Sequence, residues 1–231
     1  MILYGRNPVR EALRADKRAP GRIWANEGAA QEFDAAKVVA DAELEQLCGS
    51  PDHQGVCAEF GDFPYADPGS LLDAEDALVI CLDQVQDPRN LGAVCRVAES
   101  AGAAGVVIPD RRAAVVTPSA AKTSAGAVEH LAIAQVGNIA DWLIEAKEKQ
   151  AWVYGAAADA RTGWADPDYR GRVVLVLGSE GKGLRPRVAD ACDDLIALPM
   201  RGQIGSLNVS AAAAVLVYGI LQFRLQSDRP G

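Results

Sequence analysis

The residues best able to do chemistry sit in short glycine- and asparagine-bearing stretches. Gly178-Ser-Glu-Gly-Lys-Gly183 directly follows the apolar run Val173 to Leu177. A glycine-rich turn at the carboxyl end of a strand lets backbone N–H groups approach a ligand closely. Neither common nucleotide fingerprint fits. A P-loop needs four residues between its first glycine and Gly-Lys, then Ser or Thr. Here two residues intervene and Gly183 follows Lys182. GxGxxG is absent from this turn and from the end of the apolar run Ala77 to Leu82. On these residues alone a plain tight turn and a ligand cradle weigh equally. Only two histidines exist, His53 and His130. That excludes a His-rich metal centre and leaves a Ser-His-Asp hydrolase little to work with. The cysteines Cys48, Cys57, Cys81, Cys95 and Cys192 are odd in number and form no CxxC pair. Buried, reduced thiols in a cytosolic protein are expected, with no disulfide framework, zinc ribbon or other metal site.

Charge frames the choice of partner. The chain has 231 residues and a formal net charge of −8, which argues against nucleic acid if taken as one sum. Its distribution argues differently. Residues 6–22 hold six basic residues against Glu11 and Asp16, whereas residues 23–66 hold Lys37 against nine acids. Asn7-Pro8 suits a helix start, with Asn7 as N-cap and Pro8 in the first helical position. In that helix Val9 and Leu13 share one face, while Arg10 and Arg14 share another. The basic stripe reads either as an ordinary solvated face or as a phosphate-contacting one. A second basic group lies around Arg185, Arg187 and Arg201.

The elements that must position these residues follow from periodicity. Residues 22–25 and 55–60 read as strands, and 31–47 as a helix bearing Phe33, Val38, Val39, Leu44 and Leu47. Residues 1–63 therefore make a small α/β unit. Residues 64–76, with Pro64, Pro68, Gly69 and a run of acids, read as a linker. From there apolar strands at 77–82, 105–108, 151–155, 173–177 and 195–198 alternate with helices. The helices are expected at 91–101, 118–125, 139–149, near 187–191, and from about 207 to 226. That pattern predicts an α/β domain over 77–231 with a buried parallel sheet. The apolar run 211–221 is too short to span a bilayer, and the early charges of MILYGRNPVREAL do not suit a signal peptide.

Three segments taken together resemble one family. They are Leu82-Asp-Gln-Val-Gln-Asp-Pro-Arg-Asn90-Leu-Gly-Ala-Val-Cys-Arg96, Leu177-Gly-Ser-Glu-Gly-Lys-Gly-Leu184, and Ile204-Gly-Ser-Leu-Asn-Val-Ser-Ala211. In order and spacing they resemble the three motifs of the SpoU (TrmH) branch of the SPOUT RNA methyltransferases. Lys122-Thr-Ser-Ala-Gly-Ala127 is similar to the segment between the first and second motifs. Tyr4-Gly-Arg-Asn-Pro-Val9 and His53-Gln-Gly55 resemble the L30e-like substrate-binding domain of members that methylate large-subunit rRNA. The resemblance implies methyl transfer from S-adenosylmethionine to a ribose 2′-hydroxyl, and a catalytic domain with a deep trefoil knot. It also implies a homodimer with its site near the subunit interface, and a cytoplasmic enzyme.

It assigns roles residue by residue. Arg96 matches the arginine of the first motif. It acts either as the base, helped by a substrate phosphate, or as a charged stabiliser of the developing alkoxide. Asn90 positions ribose or phosphate, or caps a helix. Glu180 orients Arg96 or its neighbouring loops. Ser206 and Asn208 combine site and capping roles. Gly178, Leu198 and Leu207 match backbone and apolar contacts to the cofactor. Arg6, Arg10, Arg14, His53 and Gln54 are the RNA-contacting candidates. Large-subunit rRNA, with a guanosine acceptor, is the expected substrate and tRNA the alternative. A non-catalytic RNA-binding module would not need Arg96, Glu180 and Asn208 together, and a nicotinamide dehydrogenase would need the glycine fingerprint that is missing.

Overall fold

Two sheets form along the chain in the computed structural model, which describes residues 1–179 and 181–227. The first part contains β1 (Ile2–Tyr4), α1 (Arg6–Ala15), β2 (Pro20–Ala25), β3 (Lys37–Val38), α2 (Asp41–Cys48) and β4 (Val56–Phe60). Its sheet runs β1-β4-β2-β3, antiparallel except for the β2–β3 pair. The second part opens with β5 (Leu78–Leu82), α3 (Pro88–Ser100), β6 (Gly105–Pro109), α4 (Pro118–Thr123), β7 (Ile133–Val136) and α5 (Ile139–Glu148). It continues with β8 (Trp152–Ala156), β9 (Thr162–Gly163), β10 (Val173–Leu177), α6 (Pro186–Ala191), β11 (Asp194–Ala197) and α7 (Val209–Ser227). This sheet has seven strands in the order β7-β6-β5-β10-β8-β11-β9. Every ladder in it is parallel.

The central strands are apolar throughout because both faces are covered. Leu78, Ile80 and Leu82 join Val173, Leu175 and Leu177 in a core shared with α3 and α7. The alternate residues Val79, Cys81, Val174 and Val176 join the opposite core, under α5 and α6. The period of two thus assigns each residue of a continuous apolar run to one layer. The α/β class and parallel sheet agree with the sequence expectation.

Several local expectations change. Helix α1 starts at Arg6, with Gly5 rather than Asn7 at its N-cap. Gly5 adopts φ 92°, and a Cβ there would meet Lys122 Nζ at 2.4 Å. Asn7 instead lies in the first turn, where its Oδ1 accepts from Arg10. The helix expected over 31–47 is split. Lys37 and Val38 pair with Trp24 and Ala25, and Ala35 turns left-handed at φ 60°. Strand pairing overrides the local spacing there. Strands β1, β7 and β9 carry too little pattern to be read from the sequence. The linker stretch is fastened along its length. Ala66 N donates to Ile133 O, Lys149 Nζ donates to Gly69 O, and Arg172 Nε donates to Leu72 O.

Helix α7 runs for 19 residues and, among the described residues, is the one helix long and apolar enough to cross a bilayer. The shorter run seen in the sequence understated it. Val209, Ala213, Leu216, Val217 and Ile220 are buried in the core shared with α3. All five cysteines are free thiols, and burial pushes Cys57, Cys95 and Cys192 up to about 12.

The two parts meet at a buried ion pair. Arg18 contacts Glu129 with side chains 4% and 1% exposed, donates to Gly61 O and lies over the rings of Phe60 and Phe63. Nearby, Lys122 Nζ donates to Asp52 O at 2.9 Å and lies 5.8 Å from the Tyr4 ring centroid. Burial lowers the Lys122 pKa, with the Asp52 charge opposing it. His130 Nε2 is 2.9 Å from Glu11 Oε2. Glu129→Ala leaves the buried guanidinium uncompensated and is expected to cost about 3–5 kcal/mol. Urea denaturation checks this, and a loss below about 1 kcal/mol would show that the pair does not hold the two parts together.

Candidate active site

The loops at the carboxyl ends of β5 and β10 are tied by one buried carboxylate. Asp83 is 0% exposed. Its N–H donates to Leu177 O, and its carboxylate accepts from Arg185 N at 2.9 Å and Arg185 Nε at 2.7 Å. Sequence reasoning gave Asp83 no role and counted Arg185 merely as a basic residue. The available signal was Asp83's place immediately after an apolar strand, where strand-end ligands gather.

The glycine-rich turn is a closed loop. Ser179 N donates to Gly183 O and Gly183 N to Ser179 O. A Cβ at Gly178 would lie 2.2 Å from the Gly183 carbonyl carbon. Gly181 and Gly183 adopt φ 79° and 65°, where side chains are strained. The turn therefore requires glycine for its geometry, and its backbone becomes the wall of a cavity.

Two cavities adjoin there. The larger, about 640 Å³, is lined by Gly178, Ser179 and Gly183 and by the apolar Leu177, Leu198, Leu207 and Leu216. The smaller, about 290 Å³, is lined by Gln84, Val85, Gln86, Asp87 and Asn90. Ser179, Lys182 and Val209 line both. A large apolar compartment with backbone polar groups suits an extended cofactor, and the smaller polar one suits a second reactant.

Asn208 links the first and third motifs. Its Nδ2 donates to Asn90 Oδ1 at 3.1 Å, and its Oδ1 accepts from Ser210 N and Ser210 Oγ. It thereby caps α7 while reaching the rim of the small cavity. Asn90 is not the cap of α3; that is Asp87, which accepts from Arg89 N. Ser206 lines the large cavity and is exposed. Arg96 is exposed on α3, about 9 Å along the helix from Asn90, and lines neither cavity. Among the described residues it makes no ion pair or side-chain hydrogen bond. Glu180 lies outside the described residues.

The sequence-selected RNA contacts form an internal network. Glu32 pairs with both Arg6 and Arg10, at 2.7 and 2.8 Å, and Arg14 pairs with Glu11. Gln54 accepts from Arg6 N through Oε1 and from Arg6 Nε through its carbonyl. His53 is buried, with Nδ1 accepting from Gly55 N.

A parallel α/β sheet with paired cavities at its strand ends has room for two reactants side by side. Residues 77–218 match the SpoU rRNA Methylase family, and residues 2–66 match the RNA 2′-O ribose methyltransferase substrate binding family. The chain belongs to the SpoU rRNA methylase family and is an RNA methyltransferase. It is 39% identical over 239 residues to YacO of Bacillus subtilis, named as a TrmH family tRNA/rRNA methyltransferase, covering 96% of this chain and 95% of that one. A crystal structure of an RNA 2′-O ribose methyltransferase superposes with TM-score 0.80 at 26% identity, over 97% of this chain and 89% of the other. AviRb of Streptomyces viridochromogenes, solved with AdoMet, gives 0.81 at 22% identity, over 97% and 90%.

Proposed function

We propose that the protein transfers a methyl group from S-adenosylmethionine to a ribose 2′-hydroxyl, with a guanosine of large-subunit rRNA as the acceptor. The observation that carries this is the pair of cavities sharing Ser179, Lys182 and Val209 beside the Asn90–Asn208 link. The large cavity fits the cofactor: its volume lies in the usual range for such sites, Leu198 and Leu207 offer apolar walls, and Gly178 keeps the wall flat. S-adenosylmethionine supplies an electrophilic sulfonium methyl when bound. The chain's residues must hold the acceptor oxygen in line and remove its proton as the new C–O bond forms and the S–C bond breaks. Asn90 and Asn208 position the acceptor. Arg96, outside both cavities, takes the proton or holds the developing alkoxide of an acceptor that extends from the small cavity along α3, with Glu180 orienting it and Ser206 shaping the cofactor wall. The match of residues 2–66 to an RNA methyltransferase substrate-binding family supports an RNA substrate; tRNA is the second reading, since YacO's name covers both.

A homodimer completes the reading. Val215, Tyr218 and Leu225 are exposed at 45%, 47% and 58% on α7, spaced so that they share one helical face. That stripe suits a second copy of the chain. Val215→Asp with Tyr218→Asp is expected to convert a dimer to a monomer in light scattering; an unchanged mass contradicts the assigned face. The trefoil knot implied by the motifs is part of this reading, and the packing of the last helix supports it. The chain leaves β11, beyond β8 in the sheet, and returns to pack α7 on α3. A cytoplasmic location goes with an RNA substrate. Titration with S-adenosylmethionine tests the reading: saturable binding supports it and no binding removes it.

A further inference from the structure

The cations flanking the large sheet are more fully paired at its amino end than at its carboxyl end. Before the amino ends of β8 and β10, each is committed. Lys147 pairs with Asp193, Lys149 with Asp73, and Arg170 with Asp168, while Arg172 donates to Leu72 O. Beyond the carboxyl ends Arg185 and Arg187 pair with Asp83 and Asp141, but five other cations differ. Arg89 follows β5, Arg112 follows β6, Arg161 follows β8, Lys182 follows β10 and Arg201 follows β11. All five are exposed. Among the described residues none of these side chains makes an ion pair or hydrogen bond.

The β6 loop is held beside the small cavity. Ala114 N donates to Val85 O at 2.8 Å, and Val85 lines that cavity. Arg112 adopts φ 56°, an unusual conformation for a non-glycine residue. Arg111 has an 87% exposed side chain and only a loose contact, 3.9 Å, with Asp110. Acids nearby are few and partly engaged: Asp83 is buried under Arg185, Asp87 caps α3, and Asp159 lines the large cavity.

We infer that this strand-end face, centred on Arg111 and Arg112, binds the RNA phosphate backbone, and that the α1 stripe does not. This rests on the reading of the protein as an RNA methyltransferase and names the surface that holds its substrate. In a chain of net charge −8, uncommitted cations collected at one end of a sheet form a local electropositive rim. Phosphates docking there release counterions, so affinity falls steeply with salt. The arginines of α1 already share Glu32 and Glu11, so a phosphate would have to displace those carboxylates.

The test measures affinity for an unmodified large-subunit rRNA transcript, and in parallel for an unmodified tRNA, over a range of salt. The wild type is compared with Arg111→Gln/Arg112→Gln and with Arg10→Gln/Arg14→Gln. Loss of two phosphate contacts lowers the slope of log affinity against log salt by about 1.5. That drop is expected for the first variant, with S-adenosylmethionine affinity unchanged, whereas the second keeps the wild-type slope. An unchanged slope in the first variant, or the larger drop in the second, overturns the placement. If the wild type binds neither RNA, the RNA methyltransferase reading itself fails and the inference falls with it.

Discussion

Replacing Arg96 with lysine is expected to reduce methyl transfer by about 10³-fold while the protein remains folded. The expectation follows from where the side chain lies. It is exposed on α3 and makes no ion pair or side-chain hydrogen bond among the described residues, so removing it costs the fold within about 0.5 kcal/mol. It lines neither cavity, so affinity for S-adenosylmethionine should stay within about twofold of wild type. What lysine cannot supply is the planar fork that grips a phosphate and an alkoxide together. A general base or an oxyanion stabiliser contributes roughly 10² to 10⁴ in rate. Transfer of a labelled methyl group to RNA reads the rate, and thermal unfolding reads the fold. Turnover within a few-fold of wild type by folded Arg96→Lys protein would remove both roles assigned to this residue.

Gly178→Ala acts on the other reactant. The added methyl would lie 2.2 Å from the Gly183 carbonyl carbon, 2.3 Å from its oxygen and 2.6 Å from Leu184 N. All three are backbone atoms, so the loop from Ser179 to Gly183 must open, and the wall of the large cavity moves with it. The affinity for S-adenosylmethionine is expected to fall by about 100-fold or more, an effect of about 2.7 kcal/mol. The sheet should survive, because Val173 to Leu177 keep their ladders to both neighbours. Gly202→Ala is the control: the nearest atom to a Cβ there is Ile204 N at 4.0 Å, and cofactor affinity should be nearly unchanged. Calorimetric titration of both variants checks the pair, and equal affinities would show that the turn does not shape the cofactor wall.

The same residues show how far the sequence could be read. The parallel sheet was legible because Leu78 to Leu82 and Val173 to Leu177 are apolar without a break, which demands cover on both faces. Helix α5 was legible from its spacing, with Ile139, Trp142, Leu143 and Ala146 on the buried side. The split of residues 31–47 was not, because Lys37 and Val38 become a strand only by pairing with Trp24 and Ala25. Periodicity carries no record of a partner distant in sequence.

The candidate site divides in the same way. The family resemblance singled out Asn90 and Asn208, and the structure joins them through a hydrogen bond. It also singled out Gly178, whose backbone crowding accounts for the glycine. Asp83 stayed hidden, since a lone aspartate after a strand does not reveal that Arg185 covers it. The basic stripe on α1 was visible, but its neutralisation by Glu32 was not. That carboxylate lies beyond β2 in sequence and meets Arg6 and Arg10 only through the fold. The net charge of −8 therefore hides how the cations are distributed, and the α1 stripe hides how they are paired.

The central claim is that the two adjoining cavities bring a sulfonium methyl to a ribose 2′-oxygen. Incubating the protein with labelled S-adenosylmethionine and unmodified large-subunit rRNA, then locating the labelled nucleotide, tests it most directly. One guanosine carrying the label on its ribose 2′-oxygen, absent with Arg96→Lys protein, is the predicted result. Label on a base, or no transfer to this rRNA or to tRNA by protein that binds the cofactor, would contradict the account.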